Sequence, residues 1–329
     1  MLAPARGSVI LFASCCFILL FIIPLGLSAS RQPQSNSPVS VAELASRADS
    51  GDVSAQQRLA RFLLRSDPDA RGYDSALAWL QSFARQNNPR ARVLLGWLYE
   101  NGRGLPRDYA KAAENYQAAA LQNLSAAQDN LGKLYELGLG VPKNERRAFE
   151  LYLAAAQQAN PAARLNLASM YLTGSGTPRD FFQAARWFRV AAESGYAPAQ
   201  HALAILDSKG VGVPVDRTES ARWELLAAQQ GLPKAETGLA LFYETGSGVP
   251  LDYVSAFRWY SRAVSDGEES AAPRLKALSQ IMTPKQIQQA KALLSAQSAQ
   301  PSSATNAADP GDSMILSDVF GPLAPNHSQ

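Results

Sequence analysis

Residues able to do covalent or metal chemistry are scarce in this sequence. It holds two histidines, His201 and His327, and two cysteines, the adjacent Cys15 and Cys16. A histidine-based triad needs a nucleophile and an orienting acid around one imidazole, and a zinc centre needs three or four soft or nitrogen ligands together. His201 falls on the side of its segment away from the periodic Ala199 and Leu203, which predicts a surface residue rather than a base. No serine stands in an SxxK or GxSxG context. The GxGVP stretches, such as Gly246 to Pro250, have the glycines of a phosphate-binding loop. They follow a helical pattern rather than a strand, however, and lack the Lys-Ser/Thr ending. These residues predict no catalytic site, no metal site and no cofactor, so the expected function is recognition and not catalysis.

Charge narrows the class of partner. The chain carries a net charge of +3, with both signs mixed along each segment. That is not the one-sided basic footprint of a nucleic-acid binder. Arg186, Arg222 and Arg258 each precede a tryptophan and form a basic column. The expected arrangement is a solvated face whose aliphatic stems lie on the indoles.

The elements that must position these residues are repeats. Gly102, Gly138, Gly174, Gly210 and Gly246 follow one another at intervals of 36 residues, and Pro106, Pro142, Pro178, Pro214 and Pro250 keep the same step. Ala91 and Leu95 head two further columns that run to Ala271 and Leu275, and stepping back from them reaches Ala55 and Leu59. A less regular first unit therefore begins near Ser54, giving six units and a final half unit. Ala91, Leu95 and Leu98 share one face of a first helix. Glycine just past that face suits a left-handed helix end, and the following proline forbids continuation. Asp108, Asn144, Asp180, Asp216 and Asp252 then offer the short oxygen acceptor that caps a second helix. Small pairs such as Ala155-Ala156 close that helix and let its neighbours approach.

The pattern AxxxLGxLYExGxGVPxDYxxAxxWYxxAA closely resembles the Sel-one-like repeat, a relative of the tetratricopeptide repeat with a longer inter-helix loop. Its step of 36 distinguishes it from the roughly 34 residues of tetratricopeptide units. The resemblance implies an all-α fold, a right-handed superhelical α/α solenoid of helix-turn-helix repeats over residues 41–295. Residues 282–294 are expected to form the capping helix that the exposed end of such an array requires. It further implies a non-enzymatic, monomeric scaffold or regulator that binds an unidentified protein or peptide on its concave face. Relatives also give precedent for enzymes of cell-wall or β-lactam chemistry and for exopolysaccharide-export scaffolds. Cysteine-rich members staple their helix pairs with disulfides. Here no cysteine falls within the repeats, so packing alone must hold them.

In related superhelices the first helices line the concave surface. With Leu95 marking the core direction, positions 93, 97 and 100 point the other way, as do their equivalents in later units. These columns contain Val93 and Trp97, Asp129 and Lys133, Leu165 and Leu172, His201 and Ile205, and Leu241. A face made only for water seldom holds so many large apolar groups. The flanking Asn130 and Asn166 have amides suited to a peptide backbone. Trp97, Asp129, Asn130, Lys133, Leu165, Asn166, Ile205 and Leu241 are the expected partner-binding residues. Gly102, Gly138, Gly174, Gly210 and Gly246 are expected to be structural.

The ends differ in composition. Residues 9–27 form an uncharged apolar run behind Arg6, followed by Ser28-Ala29-Ser30. This describes either a secretory signal peptide or an uncleaved signal anchor within residues 1–30. Either one predicts export: an inner-membrane anchor with periplasmic repeats, or a periplasmic or secreted protein. Residues 31–40 read as a polar linker. Residues 296–329 read as a disordered tail, interrupted by one apolar island at 313–323.

Overall fold

Alanine and leucine recur at helical spacing through the repeats, and the chain folds accordingly. The computed structural model describes residues 40–298, in which helices α1–α15 and no strand occur. Helix α1 (Val41–Asp49) precedes six helix pairs. They are α2 (Val53–Arg65) with α3 (Tyr73–Arg85), α4 (Pro89–Asn101) with α5 (Tyr109–Ala120), and α6 (Ser125–Leu137) with α7 (Glu145–Gln157). The remaining three are α8 (Pro161–Thr173) with α9 (Phe181–Glu193), α10 (Ala197–Lys209) with α11 (Arg217–Gln229), and α12 (Pro233–Thr245) with α13 (Tyr253–Ser265). Helices α14 (Ala272–Ile281) and α15 (Pro284–Ser298) close the array. Each helix packs on its pair partner and on the next pair, which makes a solenoid.

The core is built from the repeated small and branched positions. Ala91, Ala127, Ala163, Ala199 and Ala235 are buried, as are Leu95, Leu131, Leu167, Leu203 and Leu239. Alanine lets the helix axes come close, and leucine fills the space between them. Every second helix from α5 to α13 begins on a side-chain cap. Asp108, Asn144, Asp180 and Asp216 each accept from the backbone N–H three residues on, and Asp252 accepts from Val254 and Ser255. These side-chain oxygens thus satisfy helix ends that would otherwise lack partners.

The loop glycines have two different tasks. Gly174, at φ +81°, is the left-handed end of α8, and its equivalents in the other repeats have the same hand. Gly212 is needed for approach as well as for its φ of +72°, because a Cβ there would strike the backbone carbonyl of Phe181. Gly140, Gly176 and Gly248 meet the start of the preceding second helix in the same way. The second glycine is therefore an inter-repeat contact, beyond the role of helix breaker that its position suggests.

Both ends of the array are covered. Helix α1 packs on α2 and α3 and buries Leu44 and Ala48, an element that no repeat column announces. At the other end α15 begins at Pro284, two residues later than Met282. Thr283 forms a reciprocal cap, its N–H donating to Gln286 Oε1 while its Oγ accepts from the Gln286 N–H. The apolar run at 9–27, both cysteines, His327 and the island at 313–323 lie outside the described residues.

Candidate functional site

The first-helix face divides into a tied polar part and an open apolar part. Lys133 Nζ of α6 donates to Glu100 Oε1 of α4 at 2.9 Å. Asn166 Nδ2 of α8 donates to Asp129 Oδ1 of α6 at 2.9 Å. These bonds run from one repeat to the next, so Asp129, Lys133 and Asn166 help hold the array. The Asn166 amide expected to meet a peptide backbone is engaged by Asp129. Asn130 is half-buried beside them. Val93, expected on this face, is fully buried, because the first repeats crowd its side of α4 into the core. Trp97 and Leu165 are half-buried and packed against core clusters. Ile205 and Leu241, in the same column of adjacent repeats, are each 37% exposed.

Behind this face runs a ladder of buried tyrosines. Tyr116, Tyr152 and Tyr260 donate from their hydroxyls to Glu100, Glu136 and Glu244 at 2.8, 2.8 and 2.6 Å. Burial, with the adjacent carboxylate, pushes each phenol well above its ordinary range. Gly96 and Gly132 leave room for the first two rings. The fourth repeat replaces the pair by Phe188 and Leu172, which need no polar partner.

The fifth repeat replaces it by charge. Glu224 stands where the tyrosine would be, and His201 Nδ1 lies 3.0 and 2.9 Å from its two carboxylate oxygens. His201 is therefore partly buried and paired, not the surface residue that its helical position suggests. A side chain at Gly238 would collide with this carboxylate. Burial raises the Glu224 pKa against the pull of His201. Asp207 occupies a column otherwise filled by Tyr99, Tyr135, Tyr171 and Tyr243. It is buried, with Arg189 NH2 at 3.7 Å as its counter-ion, and burial raises its pKa. Ser220 replaces a buried alanine and donates to Ala204 O at 2.6 Å. A cavity of about 440 Å3 opens beside this repeat, lined by His201, Leu232, Lys234, Asp266 and Glu268 among others. An imidazole oriented by a carboxylate resembles part of a catalytic arrangement. No nucleophile is hydrogen-bonded to it among the described residues, and no three metal-ligating side chains converge there. Reading the tyrosine columns for their exceptions would have found this repeat in the sequence.

The repeat geometry has a sequence counterpart. A sequence model described as Sel1 repeat matches residues 53–88, 89–124, 125–160, 161–196, 197–232 and 233–268. The chain belongs to the Sel1 repeat family. Its Sel1 repeats resemble those of c5321, a protective antigen of uropathogenic Escherichia coli with an SLR fold, at a TM-score of 0.63 and 29% identity. That match takes in 79% of this chain and 57% of the antigen, so the chain spans little more than half of that relative. A Sel1 repeat protein from Oxalobacter formigenes is similar at a TM-score of 0.59 and 31% identity, over 68% of this chain and 90% of that one. No curated protein is significantly similar in sequence.

The Sel1 loops also carry exposed apolar residues that the first-helix columns do not reveal. Phe182 is 68% exposed, Leu251 56% and Val215 54%. Two of the arginines before the tryptophans lie on the solvated face expected for them. Arg186 and Arg222 are exposed, with Arg222 paired to Glu219, and the guanidinium over Trp259 is that of Arg262.

Proposed function

We propose that this protein is a non-catalytic scaffold of the cell envelope that binds a protein or peptide segment along its first-helix face. Sel1 repeat proteins generally mediate protein–protein interaction. The observation that carries the reading here is the open pair Ile205 and Leu241. These are large apolar side chains at one repeat position of α10 and α12, left exposed while the polar residues of the same face are tied to each other. An extended segment crossing repeats would cover both and reach the half-buried Leu165 and Trp97. Asp129, Asn130, Lys133 and Asn166 would then form its polar margin.

Envelope location is supported by Arg6, the apolar run at 9–27 and the small residues after it. In this reading the run either leaves as a signal peptide or stays as an anchor, and the repeats lie outside the cytoplasm. An alkaline phosphatase fusion after Gln300 tests location. Activity in a bacterial host is expected, and an inactive fusion places the repeats inside. Binding is tested by a photo-crosslinking residue placed at Ile205 in the native host. One dominant adduct is expected there and none from Gln157 at the far end of α7. Equal labelling from both positions sinks the proposed face.

A further inference from the structure

The loop edge of the array forms a ridge of a distinct kind. Because Gly140, Gly176, Gly212 and Gly248 each touch the start of the preceding second helix, successive loops lie side by side. The residue just before each second-helix cap is Arg107, Lys143, Arg179, Val215 and Leu251 in turn. It is basic in three repeats and apolar in the next two, and exposed in all five. Phe181 and Phe182 at the start of α9 join the two parts, with the Arg179 guanidinium 5.3 Å from the Phe181 ring centre. The acids of this edge are used internally. Asp108, Asp180, Asp216 and Asp252 turn their carboxylates onto helix N-termini, and Glu145 bridges to Lys143 at 2.7 Å. Arg107, Arg179 and Arg217 are exposed and carry no ion pair among the described residues.

We propose that this edge is a lipid-docking ridge, with Phe182, Val215 and Leu251 entering the headgroup region of an anionic bilayer while Arg107, Arg179 and Arg217 meet its phosphates. Side chains more than half exposed stand proud of their neighbours, unlike those that line a groove. A soft interface accommodates projecting tips that a rigid partner would have to match one by one. Aromatic and leucine tips beside guanidinium groups are the chemistry of interfacial binding, where apolar burial and attraction to anionic lipid act together. The inference is independent of the first-helix reading, since the loop edge and that face share none of the residues named.

The test uses the full chain with Cys15→Ala and Cys16→Ala and one new cysteine, carrying an environment-sensitive nitrobenzoxadiazole dye. The cysteine is placed by Phe182→Cys, Leu251→Cys or, as a control, Gln157→Cys. Each protein is reconstituted into vesicles of equal parts phosphatidylethanolamine and phosphatidylglycerol. A blue shift is expected at 182 and 251 but not at 157. It should weaken in phosphatidylcholine vesicles and with added salt, and disappear with Arg107→Glu, Arg179→Glu and Arg217→Glu combined. No shift at 182 and 251 overturns the proposal, because a chain held only through residues 9–27 gives that result. A shift at 182 present before lipid is added, and abolished by Phe320→Asp, also overturns it and places the island at 313–323 on the ridge.

Discussion

Ala159 sits at φ +66° in a turn column that otherwise reads Asn87, Asn123, Gly195, Gly231 and Gly267. Asparagine tolerates this conformation through its short polar side chain, glycine has no Cβ to clash, and alanine has neither advantage. Left-handed backbone costs an ordinary residue roughly 1–2 kcal/mol, against roughly 0.5–1 kcal/mol for the extra freedom glycine loses on folding. Ala159→Gly is therefore expected to stabilise the array by about 0.5–1 kcal/mol. A urea midpoint that stays still or falls contradicts it. Gly174→Val should act in the opposite sense, costing about 1 kcal/mol or more, because a branched Cβ is forced onto a left-handed helix end. At this scale legibility was uneven. Glycine at a fixed interval displays its purpose openly, and so does an aspartate before a helix. His201 was misjudged because its partner, Glu224, comes from another helix, and helical spacing within α10 says nothing of α11.

The pairs α10–α11 and α12–α13 differ from the others in having buried acids at their packing surfaces. Glu236 of α12 is fully buried and raised to about 7 by that burial. Arg262 Nε stands 2.7 Å from Oε1 and opposes the shift, while Asp266 adds to it. An acid whose folded pKa lies above its unfolded value contributes stability below the unfolded pKa and loses it as pH rises through the folded one. Glu224 and Asp207 are raised by burial too and have the same sign. The thermal midpoint of the last repeats is thus expected to fall between about pH 5 and pH 8. The Glu236 share of that fall is roughly 2–3 kcal/mol, and Glu236→Gln should remove it. A midpoint that instead rises over this range, or an unaltered slope in the variant, would show that Arg262 keeps the carboxylate ionised. Column reading finds the helices and their caps, but not whether a polar residue in a column is tied or free. Asp129, Lys133 and Asn166 read as a binding margin in sequence, and their bonds between repeats add a packing role that spacing does not show.

A solenoid holds together by nearest neighbours alone, so damage should stay local. Leu203→Ala, in the core of the fifth repeat, is expected to cost about 2–5 kcal/mol. Amide exchange should quicken through α8 to α13 while α4 and α5 keep their protection. Uniform loss along the array would mean that the repeats open as one unit. The fold as a whole was legible because each repeat restates the same helix starts, stops and packing points. The binding surface was legible only in part, because repetition specifies what is common to all units, whereas recognition rests on where they differ. Trp97, drawn from the same column as Ile205, shows the difference. It packs against the core, so Trp97→Ala should lower stability as well as any binding. Ile205 and Leu241 remain the residues whose loss ought to spare the fold. The most direct measurement is titration calorimetry of the partner crosslinked from position 205, against the native chain and the double variant Ile205→Asp, Leu241→Asp. The affinity is predicted to fall by at least tenfold, about 1.4–3 kcal/mol, with the thermal midpoint held. Unchanged affinity in a folded double variant would contradict binding through the first-helix face.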